Sequence, residues 1–128
     1  KMIARVSQQG IINSSAVGLV KTSGSSLEDI INGGRAMQRI WLKATSLGID
    51  FQPMTVITFF KTRKKLDQMD VFDKKHQDLL NKIWQQYDDL FSNADTPNET
   101  HIMLFRLGYG KSVKTRTLRK DVDEFMII

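Results

Sequence analysis

Residues 25–55, SSLEDIINGGRAMQRIWLKATSLGIDFQPMT, contain the clearest structural signal in the chain. Apolar side chains recur there at steps of three and four residues, the spacing that places them on one face of an α-helix. The pattern therefore predicts a helix over residues 26–47. Ser25-x-x-Glu28 matches a capping box at its start, and Gly48 can adopt the left-handed backbone conformation that often ends a helix.

Two glycines lie inside this predicted helix. Gly33 and Gly34 each cost about 1 kcal/mol of helix stability relative to alanine, so a gain elsewhere has to offset them. The missing side chains allow another element to approach closely. Two interpretations remain open, a tight crossing with another helix, which we favour, and contact with a flat ligand.

Strand-like runs lie on both sides of the helix. Residues 15–21, SAVGLVK, and residues 101–110, HIMLFRLGYG, are short apolar runs that predict buried strands. Residues 51–53 are expected to form a strand end or edge segment that passes into a loop. Pro53 dictates this placement, because proline lacks the N–H that a sheet ladder needs.

A second amphipathic helix is predicted over residues 73–91, with Asp73 as its N-cap. Its apolar stripe consists of Leu79, Leu80, Ile83, Trp84, Tyr87, Leu90 and Phe91. The polar residues 61–70 are interpreted as an exposed connection. The expected fold class is α+β, with a small, mainly antiparallel sheet, a long central helix and a second amphipathic helix.

The positive charge of the chain is concentrated near its C-terminus. The sequence of 128 residues has the length of one domain and a formal net charge of +5. Five cations lie within residues 111–120: Lys111, Lys114, Arg116, Arg119 and Lys120. The 19 Lys and Arg, less these five, leave 14 against 14 Asp and Glu. Such a cluster fits a solvated tail, a small anionic ligand or, less well, a nucleic-acid backbone.

Several classes of function find no support in the composition. The chain has no cysteine and two histidines, a poor set of ligands for a metal site. It also lacks a nucleophile-elbow motif and the glycine fingerprints of dinucleotide and P-loop sites, so we assign no catalytic side chain. No apolar run has membrane-spanning length and no signal-peptide pattern opens the sequence. We expect a cytoplasmic protein with neither a membrane nor a nucleic acid as partner.

Two motifs carry a family resemblance. The first is GRAMQRIWLKATSLG at residues 34–48, followed by an apolar residue and a proline. The second is LFRLGY at residues 104–109, followed by the Arg-containing segment KSVKTRTLRKDVDEF. Both resemble the nitroreductase-like flavoprotein family, over roughly residues 15–56 and 101–125. The nearest branch is the one with the Acg-like nitroreductases and similar domains attached to ThiF-type adenylyltransferases.

The resemblance implies a flavin site. Members of the family hold FMN between two subunits or two fused halves, and pass a hydride from NAD(P)H through the flavin to a nitroaromatic or quinone-type acceptor. The tail cations Lys114 and Arg116 match those that grip the flavin phosphate, and Arg116 is the stronger candidate because its guanidinium is a forked donor. Pro53, Met54 and Thr55 match the backbone that passes over the flavin ring.

The resemblance also sets expectations for the domain and its partners. Residues 1–128 would be the C-terminal part of one nitroreductase-like domain, with a core at 15–108 and an arm at 109–128 that is exchanged with a partner. The partner would be a second copy, in a homodimer, or the missing N-terminal half. Two alternatives stay open: a flavin-storage or regulatory domain without significant turnover, and a small basic nucleic-acid-binding module.

Overall fold

The computed structural model describes residues 8–66, 68–91, 99–111, 121 and 124. After a helical turn at residues 8–12, the elements run in the order β1, α1, β2, α2, α3, β3. Their bounds are β1 Ala16–Thr22, α1 Leu27–Ser46, β2 Asp50–Met54, α2 Thr55–Lys65, α3 Lys74–Phe91 and β3 Thr100–Gly108. The expected α+β class with a small antiparallel sheet is confirmed.

The last strand is the centre of the sheet. The order is β1-β3-β2, and β3 pairs antiparallel with both neighbours. On one side Gly18 lies opposite Phe105, and on the other Pro53 lies opposite the same residue. The register with β1 shifts between Val20 and Lys21. The expected buried strand near the C-terminus is therefore the strand on which the whole sheet is built.

Helices cover both faces of the sheet. Ile102 of β3 lies against Gly33 of α1, whereas the neighbouring His101 contacts Tyr87 of α3. The neighbouring residues of β1 divide in the same way, since Thr22 lies against Gly33 and Lys21 donates to the Phe91 carbonyl of α3. Adjacent residues of a regular strand point to opposite faces, so α1 packs on one face and α3 on the other. The side of α3 is shared by α2, whose Lys61 pairs with a residue of α3.

A column of aromatic rings crosses the face that α1 covers. Trp41 of α1 stacks on Phe51 of β2 with ring centroids 5.2 Å apart, and Phe51 stacks on Phe105 of β3 at 4.7 Å. Phe105 in turn lies over Gly18 of β1, where an added Cβ would fall 2.4 Å from its ring. Offset ring stacking stabilises beyond the area that it buries. The column therefore ties α1 to all three strands.

The long helix begins one residue later than the capping motif at Ser25 predicts. Ser26 is the N-cap, in an extended conformation, and Asp29 is its partner. The Ser26 hydroxyl accepts from the Asp29 N–H at 3.1 Å, and the Asp29 carboxylate accepts from the Ser26 N–H at 3.0 Å. The capping box predicted from Ser25 and Glu28 was wrong. Ser26 and Asp29 have the same three-residue spacing, so the sequence pattern does not distinguish the two pairs. At the other end Gly48 has φ of 68°, as predicted.

The two glycines of α1 have different environments. Gly33 is buried, and a Cβ there would lie 2.6 Å from Ile102 Cγ1 and 3.1 Å from Thr22 Cγ2. At Gly34 an added Cβ would meet nothing within 4 Å. Gly33 therefore allows α1 to approach the sheet, and the favoured interpretation of a helix–helix crossing was wrong for it. Gly34 lies on the exposed side of α1.

Residues 55–65 correct the prediction between the two long helices. The run TVITFFKTRKK forms α2 and starts directly after β2, where we expected a loop and then an exposed connection from residue 61. A short apolar run rich in β-branched residues does not distinguish strand from helix by periodicity. Arg63, Lys64 and Lys65 lie in the last turn of α2, where cations interact favourably with the helix dipole.

The second amphipathic helix is confirmed at Lys74–Phe91. The Asp73 carboxylate accepts from the His76 N–H at 2.8 Å, as the N-cap prediction requires. Of the predicted stripe, Trp84 and Tyr87 are buried, whereas Leu79 and Leu90 are exposed. Within the described ranges, none of the helices combines the length and apolar character needed to cross a membrane.

The contrast between the glycines of α1 can be measured with matched alanine variants. Gly33→Ala should lower the free energy of unfolding by roughly 1–3 kcal/mol, because the new methyl group overlaps Ile102 in a packed interface. Gly34→Ala should raise it by roughly 0.5–1 kcal/mol, because alanine is the better helix former. Urea unfolding followed by circular dichroism measures both, and equal effects would contradict the packing described for Gly33.

The position of the cap is tested in the same way. Ser26→Ala should lower the free energy of unfolding by about 1 kcal/mol, since the first-turn N–H of Asp29 loses its acceptor. Ser25→Ala is the control and should change it by less than about 0.5 kcal/mol, a typical surface effect. A larger loss from Ser25→Ala than from Ser26→Ala would restore the cap predicted from the sequence.

Candidate functional site

Pro53, Met54 and Thr55 lie where edge strand β2 passes into α2. Pro53 is half-buried and opposite Phe105, which confirms its expected edge position. Met54 is the N-cap of α2 with φ of −127° and ψ of 82°, and Thr55 begins the helix on the surface. The Met54 side chain makes no capping hydrogen bond, and the first turn has no acidic residue. Backbone N–H groups at this end of α2 are therefore available to an acceptor.

Lys114 and Arg116 lie outside the described residues, so their contact with the Pro53–Thr55 passage stays a prediction. The segment that carries them leaves the sheet at a defined place. The Gly110 N–H donates to the Asp50 carboxylate at 2.6 Å, which fixes the exit beside the first residue of β2. The five residue steps from Lys111 to Arg116 can span up to about 17 Å when extended. Strand β2 from Asp50 to Pro53 is about 10 Å long, so the distance is within reach.

A surface pocket of about 270 Å³ lies at the exit of β3. Its polar lining includes Asp50, Gln52 and Arg106, and Tyr109 stands at its rim. Arg106 is held in place, because its Nε donates to Gln52 Oε1 at 2.7 Å and its Nη1 donates to the Gly10 carbonyl. The carboxylate of Asp50 disfavours a phosphate in this pocket. A phosphate held by the basic segment would therefore bind elsewhere.

Helix α1 has a second apolar row that the sheet does not cover. The row consists of Leu27, Ile31, Gly34 and Leu42, and the exposed polar residue Gln38 lies between the last two. The three large apolar side chains are 74%, 53% and 64% exposed. Trp41 lies between this row and the sheet, and its stack on Phe51 turns the row towards edge strand β2. Large exposed apolar surfaces typically mark an interface. The α1 row thus has the apolar character of an interface.

A polar cluster lies on the opposite face, between the sheet and α3. The Tyr87 hydroxyl and His101 Nδ1 are 3.0 Å apart, and both residues are buried. Burial raises the pKa of Tyr87 to about 12, with a further contribution from Asp88. Burial also lowers the pKa of His101, and the charges of Lys61 and Lys21 lower it further. Both side chains are therefore neutral at physiological pH.

Two lysines flank this cluster and both bind α3. Lys61 of α2 pairs with the Asp88 carboxylate, and its Nζ lies 5.0 Å from the Tyr87 ring centroid. Lys21 of β1 donates to the Phe91 carbonyl at 3.0 Å and to Glu99 at 2.7 Å. Sequence reasoning missed this cluster and placed His101 only as the residue where a strand begins. Its members come from four separate segments, and none of them lies in a motif.

Similarity to known proteins is limited to part of the chain. A stretch of 56 residues, 43% of the chain, is 41% identical to part of the uncharacterized protein MT1398 of Mycobacterium tuberculosis (strain CDC 1551 / Oshkosh). The aligned stretch covers only 8% of that protein's length. No family model and no solved structure matches the chain.

The hydrogen bond between Tyr87 and His101 is tested with two tyrosine variants. Tyr87→Phe should lower the free energy of unfolding by roughly 1–3 kcal/mol, because it leaves a buried imidazole nitrogen without its partner. Tyr109→Phe is the control, since its ring is 78% exposed, and should change stability by less than about 0.5 kcal/mol. Equal losses in chemical denaturation would contradict the described cluster.

Proposed function

We propose that the chain is the C-terminal part of an FMN-binding, NAD(P)H-dependent oxidoreductase of the nitroreductase-like class, acting on a nitroaromatic or quinone-type acceptor. The observation that carries the proposal is the Pro53–Thr55 passage. There an edge strand ends at a proline, and a helix starts without a side-chain cap. The motif at residues 34–48 that resembles the family lies in α1, which packs beside this strand.

At this passage the residues present suit the ring of a flavin. The uncapped first turn of α2 offers backbone N–H donors, which suit an acceptor atom on a ring edge. The half-buried Pro53 and Met54 offer an apolar surface beside them. The phosphate is assigned to Arg116, with Lys114 as a second cation, because a forked guanidinium matches phosphate oxygens.

The side chains at this passage indicate which part of the reaction belongs to the cofactor and which to the protein. FMN, when bound, supplies the hydride transfer between NAD(P)H and the acceptor. The described part of the passage presents Pro53, Met54 and Thr55, none of which is an acid or a base. The chain's own contribution is therefore to bind and orient the cofactor. We accordingly assign no catalytic side chain.

A partner is part of the proposal. The α1 row leaves large apolar side chains in solvent, and burying them would stabilise the protein by about 25 cal/mol for each Å² removed from water. The occupant would be the N-terminal half of the same domain or a second copy of the chain. The similarity to a small part of a much longer protein is compatible with a domain that continues beyond these residues.

Flavin binding tests the proposal, using the natural polypeptide that contains residues 1–128. It should bind FMN with quenching of flavin fluorescence. Arg116→Gln should weaken FMN binding tenfold or more, about the contribution of a charge-assisted hydrogen bond. The same variant should leave riboflavin binding unchanged, because riboflavin has no phosphate.

Lys120→Gln is the matched control for this experiment. It removes a charge from the same basic segment and should change FMN affinity less than threefold, as expected for a solvent-screened cation. A polypeptide that binds no flavin would refute the proposal. Flavin binding without NAD(P)H oxidation would favour the storage or regulatory alternative, and a salt-sensitive affinity for nucleic acid in place of flavin would favour the basic module.

A further inference from the structure

We propose that His101 is a pH-sensitive latch for α3, and that its protonation releases α3 from the sheet. The proposal is independent of flavin binding and rests on how α3 is attached. In the described part of the chain, polar contacts tie α3 to the sheet and to α2: Tyr87 with His101, Asp88 with Lys61, and the Phe91 carbonyl with Lys21. All three lie in the C-terminal half of α3, around one imidazole.

Protonation of His101 affects the attachment of α3 because the side chains that hold α3 near this imidazole are themselves charged. Lys61 on α2 and Lys21 on β1 are cations that act on His101, while Asp88 on α3 and Glu99 before β3 are anions that act on it. The two lysines and the two carboxylates balance each other. A proton on His101 adds a third positive charge inside the cluster and repels the two lysines that hold α3.

The hydrogen bond to Tyr87 cannot compensate for that charge. Tyr87 is a neutral hydroxyl, held so by burial, and a neutral partner offsets less of the cost of a buried charge than a carboxylate would. Moving α3 outward exposes His101 to water, which removes the burial that disfavours its charged form. Release of the helix is therefore the response that lowers the free energy of the protonated state.

The helix itself can survive release. Its N-terminal cap is the contact between Asp73 and the His76 N–H, which does not involve the sheet. Gln77 Nε2 donates to the carbonyls of Met69 and Phe72, at 3.1 and 2.7 Å, and ties the first turns to the preceding loop. The expected motion therefore pivots about the N-terminal end of α3 and exposes Trp84 and Tyr87.

The direction of the pH dependence follows from linkage. The folded protein disfavours the protonated form of His101, so its pKa lies below that of the unfolded chain. The attachment of α3 to the sheet is most stable above about pH 6.5, the ordinary histidine pKa. It loses stability as the pH falls below that value.

Hydrogen exchange measured by mass spectrometry tests the latch in the natural polypeptide that contains residues 1–128. Between pH 7.5 and pH 5.5, after correction for intrinsic rates, the protection of amides in residues 80–91 should fall, because the folded protein disfavours the protonated form of His101. Amides of β1 and of α1 should keep their protection. Equal loss in all elements would mean global acid unfolding and would overturn the proposal.

The two histidines provide a matched pair of variants. His101→Gln should abolish the pH dependence, whereas His76→Gln should retain it, because His76 is exposed at the other end of α3. The reverse result would overturn the proposal. If His101→Gln does not fold, an NMR titration of the wild-type imidazole decides, since its midpoint must coincide with that of the exchange in α3, and different midpoints would refute the latch.

Discussion

The ring column from Trp41 through Phe51 to Phe105 is the contact on which the rest of the fold depends. It joins α1, β2 and β3 in one stack and ends over Gly18, the position in β1 that has no side chain to obstruct it. Because the rings stack with small interplanar angles, 18° and 20°, they fix the rotation of α1 as well as its distance from the sheet. That rotation determines which apolar residues face the strands and which remain in solvent.

As a result, different interactions hold the helices on the two faces of the sheet. The α1 face is apolar, tightly packed at Gly33 and broader than the sheet can cover, so it is suited to a further layer. The α3 face is polar at its centre, where Tyr87 and His101 meet between two lysines. A layer held by burial resists changes in pH, whereas a layer held around a histidine responds to them.

Local patterns predicted local structure well in this chain. The long helix, its glycine terminator, the capped second helix and the edge position of Pro53 all follow from spacing and backbone chemistry within a few residues. The sequence was misleading where two physical solutions share one pattern, as for the adjacent serines at the start of α1 and the apolar run of α2. The polar cluster beneath α3 could not be predicted from the sequence. Its members come together only through tertiary packing: Lys21, Lys61, Tyr87 and His101.

The central position of β3 has a consequence for synthesis. The first two strands, β1 and β2, pair with β3 and not with each other. Neither strand can therefore form its inter-strand hydrogen bonds until the ribosome has synthesised β3, which ends at Gly108. Such non-local pairing slows folding, because the chain loses the entropy of closing a long loop before the stabilising contacts between the strands can form. During that delay the apolar surface of α1 is without its sheet, and the nascent chain is then at its most prone to aggregate or to recruit a chaperone.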